Sequence, residues 1–122
     1  MRFVNPIPFV ADLPRSVEFY RDVIGLTVIE AHENFVRFEG GFALHDGPSL
    51  HEDVFGTAPP PSPFGQANMV LYFEADNLQT AFERVSHATD ILHPIRTQSW
   101  GGRLFRAKDL DGHVIEIGER SA

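Results

Sequence analysis

"NMVLYFEADNLQTAFER", residues 68–84, resembles "NPIPFVADLPRSVEFYR", residues 5–21. Asn5 matches Asn68, Phe19 matches Phe82 and Arg21 matches Arg84, each at an offset of 63. Internal repetition of this kind governs the whole fold and is read before anything else. Each copy reads as a strand, then an aspartate, then a helix. Asp12 and Asp76 are placed as N-caps, and "DNLQ" (76–79) has the spacing of a capping box. Leu13, Val17, Tyr20 and Ile24 recur at helical spacing, as do Leu78, Ala81, Phe82 and Val85. Gly25 stops the first helix.

Three strand candidates follow each helix. After the first come "LTVIEAH" (26–32), "NFVRFEG" (34–40) and "FALHDG" (42–47). After the second come "ILHPIRTQ" (91–98), "RLFRAKD" (103–109) and "HVIEIG" (113–118), with turns at "WGG" (100–102) and "DLDG" (109–112). The pattern is βαβββ, written twice. A copy of roughly 50 residues buries too little surface to stand alone. The copies are therefore expected to complete one another in a single domain, 1–122, or across a dimer. Module one covers 1–47, a connector 48–66 and module two 67–122. The connector holds Pro48, Pro59, Pro60, Pro61 and Pro63. Its length marks it as functional or disordered. Phe55 and Phe64 favour an ordered cover, such as a pocket lid, with a short helix near "SLHEDVF".

The 122 residues suffice for one domain with a core, and 43% of them are hydrophobic. No apolar run reaches the length of a membrane span, and no secretory h-region opens the chain, so a cytoplasmic protein is expected. The absence of cysteine removes thiolate nucleophiles and thiolate metal sites. A net charge of −7 argues against nucleic acid and anionic membranes, and favours neutral or cationic ligands.

"HVIEIGE" (113–119) places a carboxylate, Glu116, inside an apolar run. On the simplest reading a strand alternates its faces, and Glu116 points to water. The repeat offers a second reading. "ALHDG" (43–47) aligns with "VIEIG" (114–118) at an offset of 71, which sets His45 on Glu116. If Leu44, Leu71, Phe73, Ile115 and Ile117 face the helices, the opposite face carries Asn5, Ile7, Phe9, Ala43, His45, Asn68, Val70, Tyr72, Val114 and Glu116. Apolar groups with a few placed polar ones describe a ligand cavity better than a watery surface.

With these features the chain resembles the vicinal oxygen chelate superfamily: the glyoxalase, bleomycin-resistance and extradiol dioxygenase group. "FVADLPRSVEFYRDVIGL", the paired βαβββ layout and the closing "WGGRLFRAKDLDGHVIEIGE" carry the resemblance. It implies an α+β fold, with paired βαβββ modules forming curved mixed sheets around a cavity and helices on the outer faces. In metal-dependent members four positions supply ligands, and they map here to Asn5, His45, Asn68 and Glu116. Many relatives carry histidine where this chain has Asn5 and Asn68, and often glutamate where it has His45. A dioxygenase needs two histidines and one carboxylate around iron, which this set does not supply.

Two functions follow from the resemblance. One is a lyase or isomerase of glyoxalase type, with a divalent metal (Zn, Mn, Ni or Fe) held by His45 and Glu116, Glu116 serving as ligand or base. The other is a non-catalytic protein that sequesters a drug-like or cationic ligand among Phe9, Tyr72 and Trp100, its pocket metal-free and holding a Glu116–His45 pair. Arg103 is either a clamp for a ligand carboxylate or phosphate, or a surface residue at a hairpin start. Trp100 is either a packing anchor beside two glycines or a stacking wall. His51, His87, His93 and His113 read as solvent or turn histidines. The expected partners are a small molecule and a second copy of the chain, with neither nucleic acid nor membrane.

Overall fold

The computed structural model describes residues 1–120. The chain divides into two compact units, Met1–Phe64 and Gly65–Ala122.

The first unit opens with β1 (Phe9–Val10), then α1 (Leu13–Glu18), which continues as a wider π-helical turn over Phe19–Ile24. Strands β2 (Val28–Ala31), β3 (Phe35–Phe38) and β4 (Phe42–Asp46) follow, then α2 (Gly47–Phe55). The sheet order is β1-β4-β3-β2, with β1 parallel to β4 and the other pairs antiparallel. The first strand is shorter than the sequence suggests. Pro6 and Pro8 have no N–H to give a ladder, so pairing begins only at Phe9, and Asn5 and Ile7 lie ahead of it. Asp12 caps α1 as expected, its Oδ1 accepting from Arg15 N at 3.2 Å. Gly25 closes the helix at φ +94°, and the N–H groups of Gly25 and Leu26 both donate to the Tyr20 carbonyl. The helix lays Phe19 and Tyr20 on one face of the sheet, where the Tyr20 ring packs, tilted, 4.9 Å from Phe42 and 6.5 Å from Phe38.

The stretch assigned to a connector belongs largely to this unit. Helix α2 covers its first half, capped by Asp46 (Oδ2 to Ser49 N, 3.0 Å) and ended by Gly56 at φ +77°. Phe64 then packs 5.8 Å from Phe9, over Gly47.

The second unit repeats the plan. Strand β5 (Val70–Ala75), helix α3 (Leu78–Ser86) and strands β6 (Ile91–Thr97), β7 (Arg103–Lys108) and β8 (Val114–Glu119) form a sheet of order β5-β8-β7-β6. Neither sheet closes on itself. Asn68, like Asn5, lies before the strand assigned to it. The cap of α3 is Asn77, whose Oδ1 accepts from Thr80 N at 3.0 Å. Asp76 instead pairs with Arg120, and Gln79 reaches forward to Glu83, so the expected capping box is not formed. Pro94 is tolerated because β6 is an edge strand, and the register slips on either side of His93. The "DLDG" turn is held by Asp109, whose buried Oδ1 accepts from the N–H groups of Asp111 and His113 at 2.9 Å each.

The core face of this unit carries Leu71, Phe105, Ala107, Ile115 and Ile117, against which α3 sets Leu78, Phe82 and Val85. Phe82 meets Phe105 edge-on at 5.1 Å. The parity read from sequence therefore holds. Glu116 belongs to the face turned away from the helix.

Candidate functional site

Register confirms the alignment of the two copies. In unit one, His45 pairs with Phe9 on one side and Phe35 on the other. In unit two, Glu116 pairs with Tyr72 and Arg106. Phe9 to Tyr72 is the offset of 63; His45 to Glu116 and Phe35 to Arg106 are the offset of 71. These are equivalent cross-strand rows, built from different chemistry.

Arg106 is the partner of Glu116. Its Nε donates to Glu116 Oε1 at 2.8 Å, and both side chains are mostly buried, at 28% and 18% exposure. The Nη1 of Arg106 lies 3.3 Å from His93 Nε2. His93 Nδ1 lies 2.8 Å from the Pro94 carbonyl. A carbonyl only accepts, so Nδ1 donates, and Nε2 is left as the acceptor for Arg106. One relay thus runs from the β6 backbone through His93 and Arg106 to Glu116. The reading of His93 as a solvent or turn residue is corrected: an edge strand carries it to the guanidinium. His51 is likewise engaged, with Nδ1 2.7 Å from the Thr57 carbonyl.

Tyr72, on the other side of Glu116, is half exposed and donates its hydroxyl to Glu74 at 3.1 Å. Partial burial and the nearby Glu74 and Glu116 charges raise the phenol's pKa, so it remains a hydrogen-bond donor. Its ring lies against Gly118: a Cβ there would come within 2.8 Å of the hydroxyl. Trp100 is arranged the same way. The hairpin between β6 and β7 is closed by Gln98 N donating to the Gly102 carbonyl (2.8 Å), with Gly101 at φ +97°. This turn lays the indole across Gly102, where a Cβ would overlap the ring. Trp100 is 72% exposed, so it is not a core anchor. Between the rings lies a pocket of about 160 Å³ lined also by Arg103, Leu104, Glu119 and Arg120. Arg103 grips Glu119 Oε1 with Nε (3.1 Å) and Nη2 (2.7 Å). That hydrogen bond, with the accompanying charge, holds Glu119 below the usual carboxylate range and raises Arg103.

In unit one, His45 is half-buried, with Nδ1 2.9 Å from the Asp46 carbonyl and its ring 6.1 Å from Phe35. Asn5 donates its side-chain amide to the Pro6 carbonyl at 3.0 Å. Asn68 is exposed. Among the described residues no group of three or more His, Asp or Glu side chains is placed to hold a metal ion. The donor set explains why the expected ion fits poorly. Glu116 already carries a hydrogen-bonded guanidinium, and a divalent cation added there would meet that positive charge. Of the remaining expected ligands, the amides of Asn5 and Asn68 are weak, neutral donors suited at best to hard ions.

The sequence reading missed Arg106, Glu119 and Gly118, the glycine under Tyr72. For Arg106 a signal existed. Once the "DLDG" turn is centred between Lys108 and Val114, Arg106 falls opposite Glu116 across the hairpin.

The model of the Glyoxalase-like domain matches residues 3–122. The chain belongs to that family. This glyoxalase-like chain is 48% identical to a protein of unknown function from Agrobacterium tumefaciens str. C58, with a TM-score of 0.94 and 99% of this chain and 95% of that one covered. It shares its fold with a glyoxalase/bleomycin resistance protein/dioxygenase from Nocardioides (24% identity, TM-score 0.74, 98% and 83% covered). It also shares its fold with lactoylglutathione lyase from Agrobacterium tumefaciens (23%, 0.71, 97% and 92%). No curated protein matches it. The family match agrees with the resemblance to the vicinal oxygen chelate superfamily, and both structural neighbours agree with the fold that it implies. Among the described residues no helix is long and apolar enough to cross a membrane.

Proposed function

We propose that the chain binds a small molecule on the second unit, between Tyr72 and Trp100, without a resident metal. One observation carries the reading. Two aromatic rings are each seated on a glycine and left exposed at the rim of the same pocket. Large exposed rings cost solvation unless something covers them, and a planar ligand covers them best. Family membership agrees, because this superfamily generally handles small molecules. Glu116 adds polarity beside Tyr72 but little net charge, since Arg106 balances it.

The glyoxalase-type lyase or isomerase expected from the resemblance asks Glu116 to hold a metal or take a proton. Glu116 would first have to leave Arg106. In unit one, His45, Phe9 and Asn5 remain candidates for ligand contact, as does Asn68 in unit two. The same proposal has the chain working as a homodimer, because Phe3, Val4 and Ile7 of unit one and Met69 and Val70 of unit two are exposed apolar groups on or just ahead of the first strand of each sheet.

Trp100 is the only tryptophan, so its indole N–H gives a single resonance that reports on this pocket. Fragment titrations followed by that resonance test the proposal. Saturable shifts of the indole, lost in Tyr72→Ala, are expected. An indole indifferent to every planar fragment contradicts it.

A further inference from the structure

We infer that the Glu116–Arg106 pair is the polar end of the ligand site and selects a neutral group that donates and accepts hydrogen bonds side by side, as a carboxamide on an aromatic ring does. The inference rests on the binding proposal above and adds the polar chemistry of the ligand.

Position comes from the register. Leu104 pairs with Gly118, and Arg106 with Glu116, so these are successive rows on one face of the sheet. Leu104, Gly118 and Tyr72 line the pocket, and Tyr72 is also the neighbour of Glu116 across the strands. A ring lying beside Tyr72 over Gly118 thus has Glu116 and Arg106 one row away, about 6–7 Å along the strands. That is the reach of a single substituent on the ring.

Selection comes from what the pair leaves unused. The Arg106 guanidinium is held at two points, by Nε on Glu116 Oε1 (2.8 Å) and by Nη1 on His93 Nε2 (3.3 Å). The Pro94 carbonyl fixes His93 in turn. Among the described residues, nothing accepts from Arg106 Nη2 and nothing donates to Glu116 Oε2. Neither atom is sealed inside the protein, because no buried side-chain nitrogen or oxygen among those residues lacks a partner. The row therefore presents one oriented donor beside one oriented acceptor, both on mostly buried side chains.

No charged ligand suits both. A carboxylate that accepts from Nη2 is repelled by Oε2, and an ammonium that donates to Oε2 is repelled by the guanidinium. A carboxamide gives its N–H to Oε2 and takes Nη2 on its carbonyl. Each of these bonds has one ionised partner, which makes it stronger than a bond between neutral groups. Tyr72 adds no competing preference, because its hydroxyl is committed to Glu74.

Four ligands built on one benzene ring test the inference: benzamide, acetophenone, benzoate and benzylammonium, titrated into the whole chain and followed by the Trp100 indole resonance. Acetophenone has the shape and the carbonyl of benzamide but no N–H. Benzamide is expected to bind at least about tenfold more tightly than acetophenone, the scale of one hydrogen bond to a charged group, and more tightly than either ion. Glu116→Gln keeps the side chain's shape and can turn an amide N–H outward where Oε2 stood. It should bring the benzamide-to-acetophenone ratio down to about one, where a merely structural role for Glu116 would weaken both ligands alike. Equal binding of benzamide and acetophenone by wild type, tighter binding of either ion, or an unchanged ratio in Glu116→Gln overturns the inference and leaves the binding proposal standing. Failure of all four compounds to move the indole overturns both.

Discussion

The row through His45 and the row through Glu116 occupy the same place in two sheets of identical strand order, yet they differ in kind. In unit one the row is Phe9, His45 and Phe35, ring beside ring, and Phe64 closes over it. In unit two the row is Tyr72, Glu116 and Arg106, with His93 beyond, and the charges are balanced inside the row. The first row is filled by the chain itself. The second leaves its rings open and keeps a free pocket next to them. The two copies share the backbone register, but their side chains make one half covered and the other open.

The glycines beneath the rings break this comparison most sharply. A Cβ on Gly47 would meet the Phe64 ring at 2.5 Å and the Val10 carbonyl at 3.0 Å. A Cβ on Gly118 would meet only the Tyr72 phenol, closest at 2.8 Å, on a half-exposed side chain. Backbone yields less than an exposed ring. Gly47→Ala is expected to cost about 1–3 kcal/mol, and Gly118→Ala clearly less while displacing Tyr72. Chemical denaturation of the two variants checks the order. Equal losses would mean that Tyr72 is as tightly held as Phe64.

Exchanging the rows is the next largest test. Arg106→Phe gives unit two the residue of unit one and leaves Glu116 mostly buried without its partner. The expected loss is about 1–2 kcal/mol, below the value for a fully buried pair because both groups retain some solvent. Adding Glu116→His should recover part of it, since the unpaired carboxylate is gone. A double-mutant cycle with no coupling would show that the 2.8 Å ion pair adds nothing.

The smallest effect is a pH dependence. In unit one the Glu30 carboxyl is lowered, first by its hydrogen bond to His32 and next by Arg37. A lowered carboxyl pKa contributes stability that is fully present above the unfolded-state value and is lost as pH falls through the folded one. Glu119 in unit two behaves alike, through Arg103. Both groups lie at the surface, so the gain is slight. Melting temperature against pH, for wild type and Glu30→Gln, should differ at neutral pH and converge in acid.

The architecture was legible because it was written in periodicities. Two copies of a strand–helix–strand pattern and the parity of Ile115 and Ile117 place Glu116 on the face where the structure has it. Strand ends were less legible, since Pro6 and Pro8 remove ladder donors that hydropathy does not count. Asn77 displaced Asp76 as a cap because the helix starts one residue later than the pattern implies. Partners of charges were the least legible. Arg106 and His93 lie on neighbouring strands, and a register slip in β6 decides that the imidazole meets the guanidinium. The openness of the Trp100 pocket rests on Gly102 and Gly118, residues whose contribution is what they lack.

The central claim is that Arg106, rather than a metal ion, balances Glu116. Calorimetric titration with zinc, manganese, nickel and ferrous iron, on wild type and on Glu116→Ala, tests it directly. No binding in wild type that the substitution removes is expected. Tight binding of any of these ions by wild type, abolished in Glu116→Ala, would contradict it.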